Sequence, residues 1–103
     1  GDSAFGFSGM EVETAARYGL NITFVIVNNN GIGGGPDQLD PTKVPPSAYS
    51  LSAHYEKMAE IYGGKGFFVT EPDQLKPALA EAMATDKPSI VNIMISAKSQ
   101  RSE

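Results

Sequence analysis

No cysteine occurs anywhere in the 103 residues. That excludes a disulfide framework, thiolate chemistry and a cysteine-type zinc site. It fits a reducing compartment. Histidine occurs once, at His54. Basic residues are few and dispersed: 8 Lys and Arg stand against 12 Asp and Glu, for a net charge of −4. The absence of any basic run argues against nucleic acid or an anionic membrane as partner. No apolar run approaches the ~20 residues that a membrane span needs, and no signal peptide is visible.

What remains suffices for one folded domain. Hydrophobic residues make up 41% and charged residues 19%, a balance that folds rather than staying disordered. A domain of this length buries only about two-thirds of its unfolded surface. It has little reserve if part of its fold is missing.

The chemistry is concentrated between Gly1 and Ile32. Ser8-Gly9-Met10-Glu11 has the spacing of a capping box, with Ser8 as N-cap and Glu11 at N3. The helix it opens runs to about Tyr18, where Gly19 is placed to end it. Ile22 to Val27 is apolar and mostly β-branched, the pattern of a strand buried on both faces in a parallel sheet. Asp2 then precedes a crossover helix, and Asn28 and Asn29 stand at the carboxyl end of the next strand, where ligands of open α/β sheets bind. If a strand precedes Asp2, the side chains of Asp2 and Asn29 come from neighbouring strand ends, roughly 5 Å apart. A carboxylate oxygen and an amide oxygen are hard ligands suited to Mg²⁺, which completes its shell with phosphates and water. The backbone carbonyl of Gly31 can add a third protein oxygen. Small residues at Ser3 and Ala4 let backbone N–H groups approach phosphate oxygens. The bland alternatives are a helix cap at Asp2 and a plain turn at Asn28-Asn29-Asn30-Gly31. The ordered combination is more specific than any member of it, and it reads as a clamp for a metal-bound diphosphate.

Further along, residues 31–51 form a long connection rich in glycine and proline, of the kind that is functional or mobile. Gly33-Gly34-Gly35 lacks the spacing of a nucleotide loop that opens a helix. Ser52 is placed to cap a second helix running to about Tyr62, with Tyr55, Met58, Ala59 and Tyr62 on one apolar face and Gly63 and Gly64 at its end. His54 has no evident acidic partner, which favours a structural or surface role over general-base work. Lys65, between glycines, reads as a plain turn lysine in preference to a phosphate contact of a CoA-type substrate. Residues 66–69 form a short strand. Pro72 starts a third helix at its first turn, with Leu75, Ala78, Leu79, Ala82 and Met83 as a core stripe and Pro77 early in it. Ser89 to Ile95 is the last buried strand, and 96–103 is a polar tail. Alternating elements predict an α/β fold: a three-layer, doubly wound parallel sheet with helices on both faces. The chain opens on Gly1-Asp2 with no strand before it and no initiator Met. The expectation is a fragment of a longer protein, with residues 1–95 as a partial diphosphate-binding domain.

Gly1-Asp2, followed after one helix and one strand by Asn28-Asn29, resembles the thiamine-diphosphate motif. Within that superfamily Gly1 to Thr14 looks like 2-hydroxyacyl-CoA lyase and its relative oxalyl-CoA decarboxylase. Val44-Pro45-Pro46, Gly63-Gly64-Lys65-Gly66 and Lys87 to Ile95 agree. Asn28-Asn29-Asn30 and His54-Tyr55-Glu56 lean towards the eukaryotic-type lyase. The resemblance implies that Asp2, Asn29 and the Gly31 carbonyl hold Mg²⁺, that Ser3 and Ala4 contact the diphosphate, and that Ile32 belongs to the same cofactor-binding set. It implies cleavage of a 2-hydroxyacyl-CoA to formyl-CoA and an aldehyde one carbon shorter. It further implies that the glutamate that activates the cofactor lies on another domain, and that the active site lies between two subunits of a homodimer or homotetramer. No residue of this chain takes that catalytic role, Glu11 and Glu13 included, and the segment alone is expected to be inactive. The position of Gly33 is commonly Tyr in such enzymes, so an aromatic hydroxyl is missing beside the cofactor. Oxalyl-CoA decarboxylase, a 2-keto-acid synthase and a non-catalytic remnant of the fold are the rival readings. The implied location is peroxisomal for a eukaryote and cytoplasmic for a bacterium. The chain ends Gln100-Arg101-Ser102-Glu103, without a Ser-Lys-Leu-like address.

Overall fold

Ile90 and Val91 are fully buried, and the strand that carries them lies in the middle of everything else. The computed structural model describes residues 1–98. Its strands are β1 (Thr23–Asn28), β2 (Lys65–Val69) and β3 (Ser89–Met94), all parallel, in the order β1-β3-β2. The helices are α1 (Asp2–Ser8), α2 (Glu11–Arg17), α3 (Lys57–Ile61) and α4 (Pro72–Ala84). In register, β3 sets Ile90 between Phe24 and Gly66, and Val91 between Val25 and Phe67. Alternation along β3 therefore feeds two cores. Val12, Ile26, Ala59 and Ile90 pack on one face with Phe5, Phe24, Tyr55, Met58 and Tyr62. Val69, Ala78, Ala82 and Val91 pack on the other, under α4. Each fully buried aliphatic side chain contributes about 1.5–3 kcal/mol. The α/β class, with a parallel sheet and helices on both faces, is as expected.

Both glycine-terminated helices end as the spacing implies. Gly19 N–H donates to Ala16 O and Leu20 N–H to Ala15 O; Gly63 N–H donates to Glu60 O and Gly64 N–H to Ala59 O. These are Schellman pairs, with Gly19 and Gly63 at positive φ. Pro72 opens α4 inside a capping box formed by Glu71 and Gln74.

Several expectations are corrected. Ser8 is not an N-cap: it is the last residue of α1, a helix already begun at Asp2. Gly9 and Met10 stay in the right-handed region, and Val12 and Glu13 N–H donate three residues back to Gly9 and Met10. A cap needs a non-helical residue at the boundary, and none exists there. Ser52 does not cap either. It has a φ of 50°, and its N–H donates to Asn30 Oδ1 at 2.8 Å. Residues 54–59 instead enter α3 through i→i+3 bonds, so only Lys57–Ile61 is α-helical. β1 is not buried on both faces. It is the sheet edge, and Val25 and Val27 are 49% and 43% exposed because α4 covers β2 and β3 but not β1. At the start of the tail, Ala97 O lies near Gly34 and Lys98 pairs with Asp37 at 2.9 Å. Residues 99–103 lie outside the described part.

Candidate functional site

The carboxyl end of β1 faces the start of α1. Gly1 is the N-cap of α1 and has no side chain to offer, so the N–H groups of Asp2, Ser3 and Ala4 have no intrahelical acceptor. The first helical bond runs from Phe5 N–H to Gly1 O at 3.0 Å. Asp2 is 1% exposed. Its Oδ1 lies 3.5 Å from Asn29 N, a long contact, and its Oδ2 is buried with no partner. An orphaned carboxylate oxygen costs more than an ordinary buried polar atom and calls for a counter-charge.

Asn29 closes the group. One atom of its side-chain amide sits 3.0 Å from Asp2 Oδ1 and 2.8 Å from Gly31 O. With the NH₂ group there, both contacts are hydrogen bonds. With Oδ1 there, three oxygens converge at the spacing that a cation imposes. An octahedral Mg²⁺ with ligands at about 2.0–2.1 Å sets adjacent oxygens about 2.9 Å apart. Among the described residues no three His, Cys, Asp or Glu side chains come together. The donor set is instead one carboxylate, one amide and one backbone carbonyl, all hard oxygens, and it fits Mg²⁺.

The flanking asparagines do different work. Asn28 and Asn92 both lie fully buried, and both donate to Ala53 O, at 3.3 and 2.8 Å. Asn92 Nδ2 also donates to Glu56 Oε2 at 2.9 Å. Asn28 Oδ1 accepts from Asn30 N–H, Asn30 O accepts from Tyr49 N–H, and Ile32 N–H donates to Ser47 O. Residues 47–53 are thus tied to the strand end. Asn28 and Asn30 are spent on this frame, leaving Asn29 directed at Asp2. Asn92, flanked by Ile90, Val91, Ile93 and Met94, was the readable signal, because a buried amide must find partners.

Asp2, Asn29 and Gly31 come together, and Ser3 and Ala4 follow Asp2 in the first turn of α1. Ile32 flanks the group, 52% exposed, with its N–H already used. His54 does have an acidic partner, two residues on: Nδ1 lies 2.6 Å from Glu56 Oε1, and the ring lies against Phe68, tilted by 50°. Lys65 is at the amino end of β2, away from the site, and faces Glu81 at 3.6 Å. Glu13 pairs with Arg17. A side chain at Gly33 would meet nothing within 4 Å. The Tyr55 phenol is pushed above its ordinary value, first by burial and then by the charge of Asp2 and by Tyr49.

Residues 1–93 match the model of the thiamine pyrophosphate enzyme C-terminal TPP binding domain. The chain is 47% identical to 2-hydroxyacyl-CoA lyase 1 of Mus musculus, over 98% of this chain and 19% of that protein. It is 47% identical to 2-hydroxyacyl-CoA lyase of Arabidopsis thaliana, over 92% of this chain and 18% of that one. It is 44% identical to oxalyl-CoA decarboxylase of Escherichia coli K12, over 92% of this chain and 17% of that protein. The chain spans about a fifth of the length of these relatives. It belongs to the thiamine pyrophosphate enzymes and corresponds to their C-terminal TPP-binding domain.

Proposed function

We propose that this domain clamps the diphosphate of thiamine diphosphate through Mg²⁺, within a carbon–carbon lyase that cleaves 2-hydroxyacyl-CoA to formyl-CoA and a shortened aldehyde. The observation that carries the clamp is the convergence of Asp2, Asn29 and Gly31, with Asp2 Oδ2 buried and unpartnered. When bound, thiamine diphosphate would supply a nucleophilic carbon and an electron sink for the bond-breaking step. The chain's own residues bind and orient. Asp2 supplies the charge that a divalent cation needs, and Asn29 and Gly31 add neutral oxygens without over-neutralising it. The N–H groups of Ser3 and Ala4, which have no intrahelical acceptor, would take diphosphate oxygens, with Ile32 beside the group. Residues 1–95 form the diphosphate-binding unit and the tail begins at Ser96. The remaining domains and a second subunit, in a homodimer or homotetramer, complete the site and bring the acyl-CoA. The enzyme acts in the peroxisome of a eukaryote or the cytoplasm of a bacterium.

Decarboxylation of oxalyl-CoA is the second reading, favoured by the 44% identity to such an enzyme. The test is product analysis on the complete enzyme with both substrates, with and without thiamine diphosphate and Mg²⁺. Formyl-CoA and aldehyde from the 2-hydroxyacyl-CoA support the lyase. Turnover of oxalyl-CoA alone replaces it with the decarboxylase, and no turnover of either leaves a non-catalytic remnant.

A further inference from the structure

We propose that the Asn29 side chain is a two-position latch. Without a cation its NH₂ group bridges Asp2 and Gly31, and it turns over to present Oδ1 when Mg²⁺ enters. The inference rests on reading this site as a Mg²⁺–diphosphate clamp.

One amide position lies 3.0 Å from Asp2 Oδ1 and 2.8 Å from Gly31 O. Both neighbours are acceptors, and Asp2 and Gly31 are buried. Without a cation, an oxygen in that position faces two oxygens, one of them charged, with little water to screen them. A nitrogen there donates to both. With a cation the preference inverts, because all three atoms must then be acceptors. Asparagine carries both groups on one planar end of nearly symmetric shape. A half-turn about χ2 exchanges them while every other atom keeps its place. The site therefore keeps the same spacing in both states, and the metal-free chain does not need to collapse around an unpaired carboxylate. Asp2 Oδ2 is not engaged by the latch, so the latch leaves the carboxylate unsaturated. Aspartate has the acceptors but no donor when ionised, and serine is too short. Neither can serve both states.

The test labels the complete enzyme with ¹⁵N at asparagine only and follows side-chain NH₂ exchange with solvent. The signals of Asn21 and Asn29 are identified by single substitutions. Without metal, the Asn29 protons are expected to exchange about tenfold or more slowly than those of exposed Asn21. Adding MgCl₂ with thiamine diphosphate should shift the Asn29 signals and remove that protection, while calorimetry on the same sample records binding. Asn29→Asp gives a second readout: the metal-free melting temperature should fall, and the gain on adding Mg²⁺ and cofactor should exceed that of the wild type. Fast exchange at Asn29 without metal overturns the latch, as does an unchanged metal-free melting temperature in Asn29→Asp. Protection that persists after calorimetry has recorded binding overturns the turnover. Absence of any calorimetric binding overturns the clamp reading itself.

Discussion

Gly31→Ala is expected to damage the cation site through backbone geometry alone. A Cβ at Gly31 would lie 2.4 Å from Ser47 O and 3.0 Å from Gly35 Cα. Both are backbone atoms, so no side chain can swing aside. Overpacking of this kind costs about 1–3 kcal/mol. Separating the two segments also loosens the bond from Ile32 N–H to Ser47 O, 2.9 Å long, at about 1 kcal/mol. The total is roughly 2–4 kcal/mol. The displaced atoms include the Gly31 carbonyl, one of three candidate ligands. Losing a hydrogen-bond-like contact to a charge is worth about 1.5–3 kcal/mol, or roughly a 10- to 150-fold weaker Mg²⁺ dependence of cofactor binding. Gly33→Ala is the control two residues away. Gly33 has a φ of 71° and open space around it, so an alanine there meets only backbone strain of about 1–2 kcal/mol. Its Mg²⁺ affinity should stay within about twofold of the wild type. The assay is calorimetric titration of Mg²⁺ at saturating thiamine diphosphate, with thermal unfolding in parallel. Equal Mg²⁺ affinity in Gly31→Ala and Gly33→Ala would refute the reasoning.

Two other perturbations probe the frame and the local field. Asn92→Leu removes donors to Ala53 O and Glu56 Oε2 but also removes the orphaned Asn92 Oδ1. A net loss of about 1–3 kcal/mol is expected in denaturant unfolding, and Glu56→Met in the same chain should recover part of it; no recovery would show that the two residues are not coupled. The Tyr55 phenol is held above its ordinary value by burial and by the charge of Asp2, so its contribution to stability is complete below the unfolded value and is lost as pH rises through the folded one. Asp2→Asn should bring the Tyr55 midpoint down in ultraviolet titration, though not to the ordinary value, since burial is the larger cause; an unmoved midpoint would place Asp2 too far away to act.

Much of the fold was legible because it is written locally. Gly19 and Gly63 mark helix ends through a conformation that glycine favours, Pro72 marks a helix start, and β-branched runs mark strands. What was not legible depends on partners distant in sequence. Ser8 and Glu11 have the right spacing for a capping box, but spacing says nothing of a helix already running from Asp2. The apolar run of β1 reads as doubly buried, yet burial is decided by which helix lies over it, and α4 stops short. At the site, the motif picked out Asp2, Asn29 and Gly31. It said nothing of what Asn28 and Asn30 do, because their tasks are set by Ala53, Tyr49 and Ser52 on the far side of the loop. The His54 partner was missed although it is only two residues away. Two side chains that close in sequence meet only when the backbone turns between them, as it does on entering α3.

The central claim is that Asp2 anchors a cation that in turn holds the diphosphate. Its most direct test is calorimetric titration of thiamine diphosphate into the complete enzyme and into its Asp2→Ala variant, each with and without Mg²⁺. The account requires Mg²⁺-dependent binding in the wild type and a loss of at least about tenfold in the variant, with the difference vanishing when Mg²⁺ is left out. Equal affinity of the two proteins at limiting Mg²⁺ would contradict it and remove Asp2 from the site.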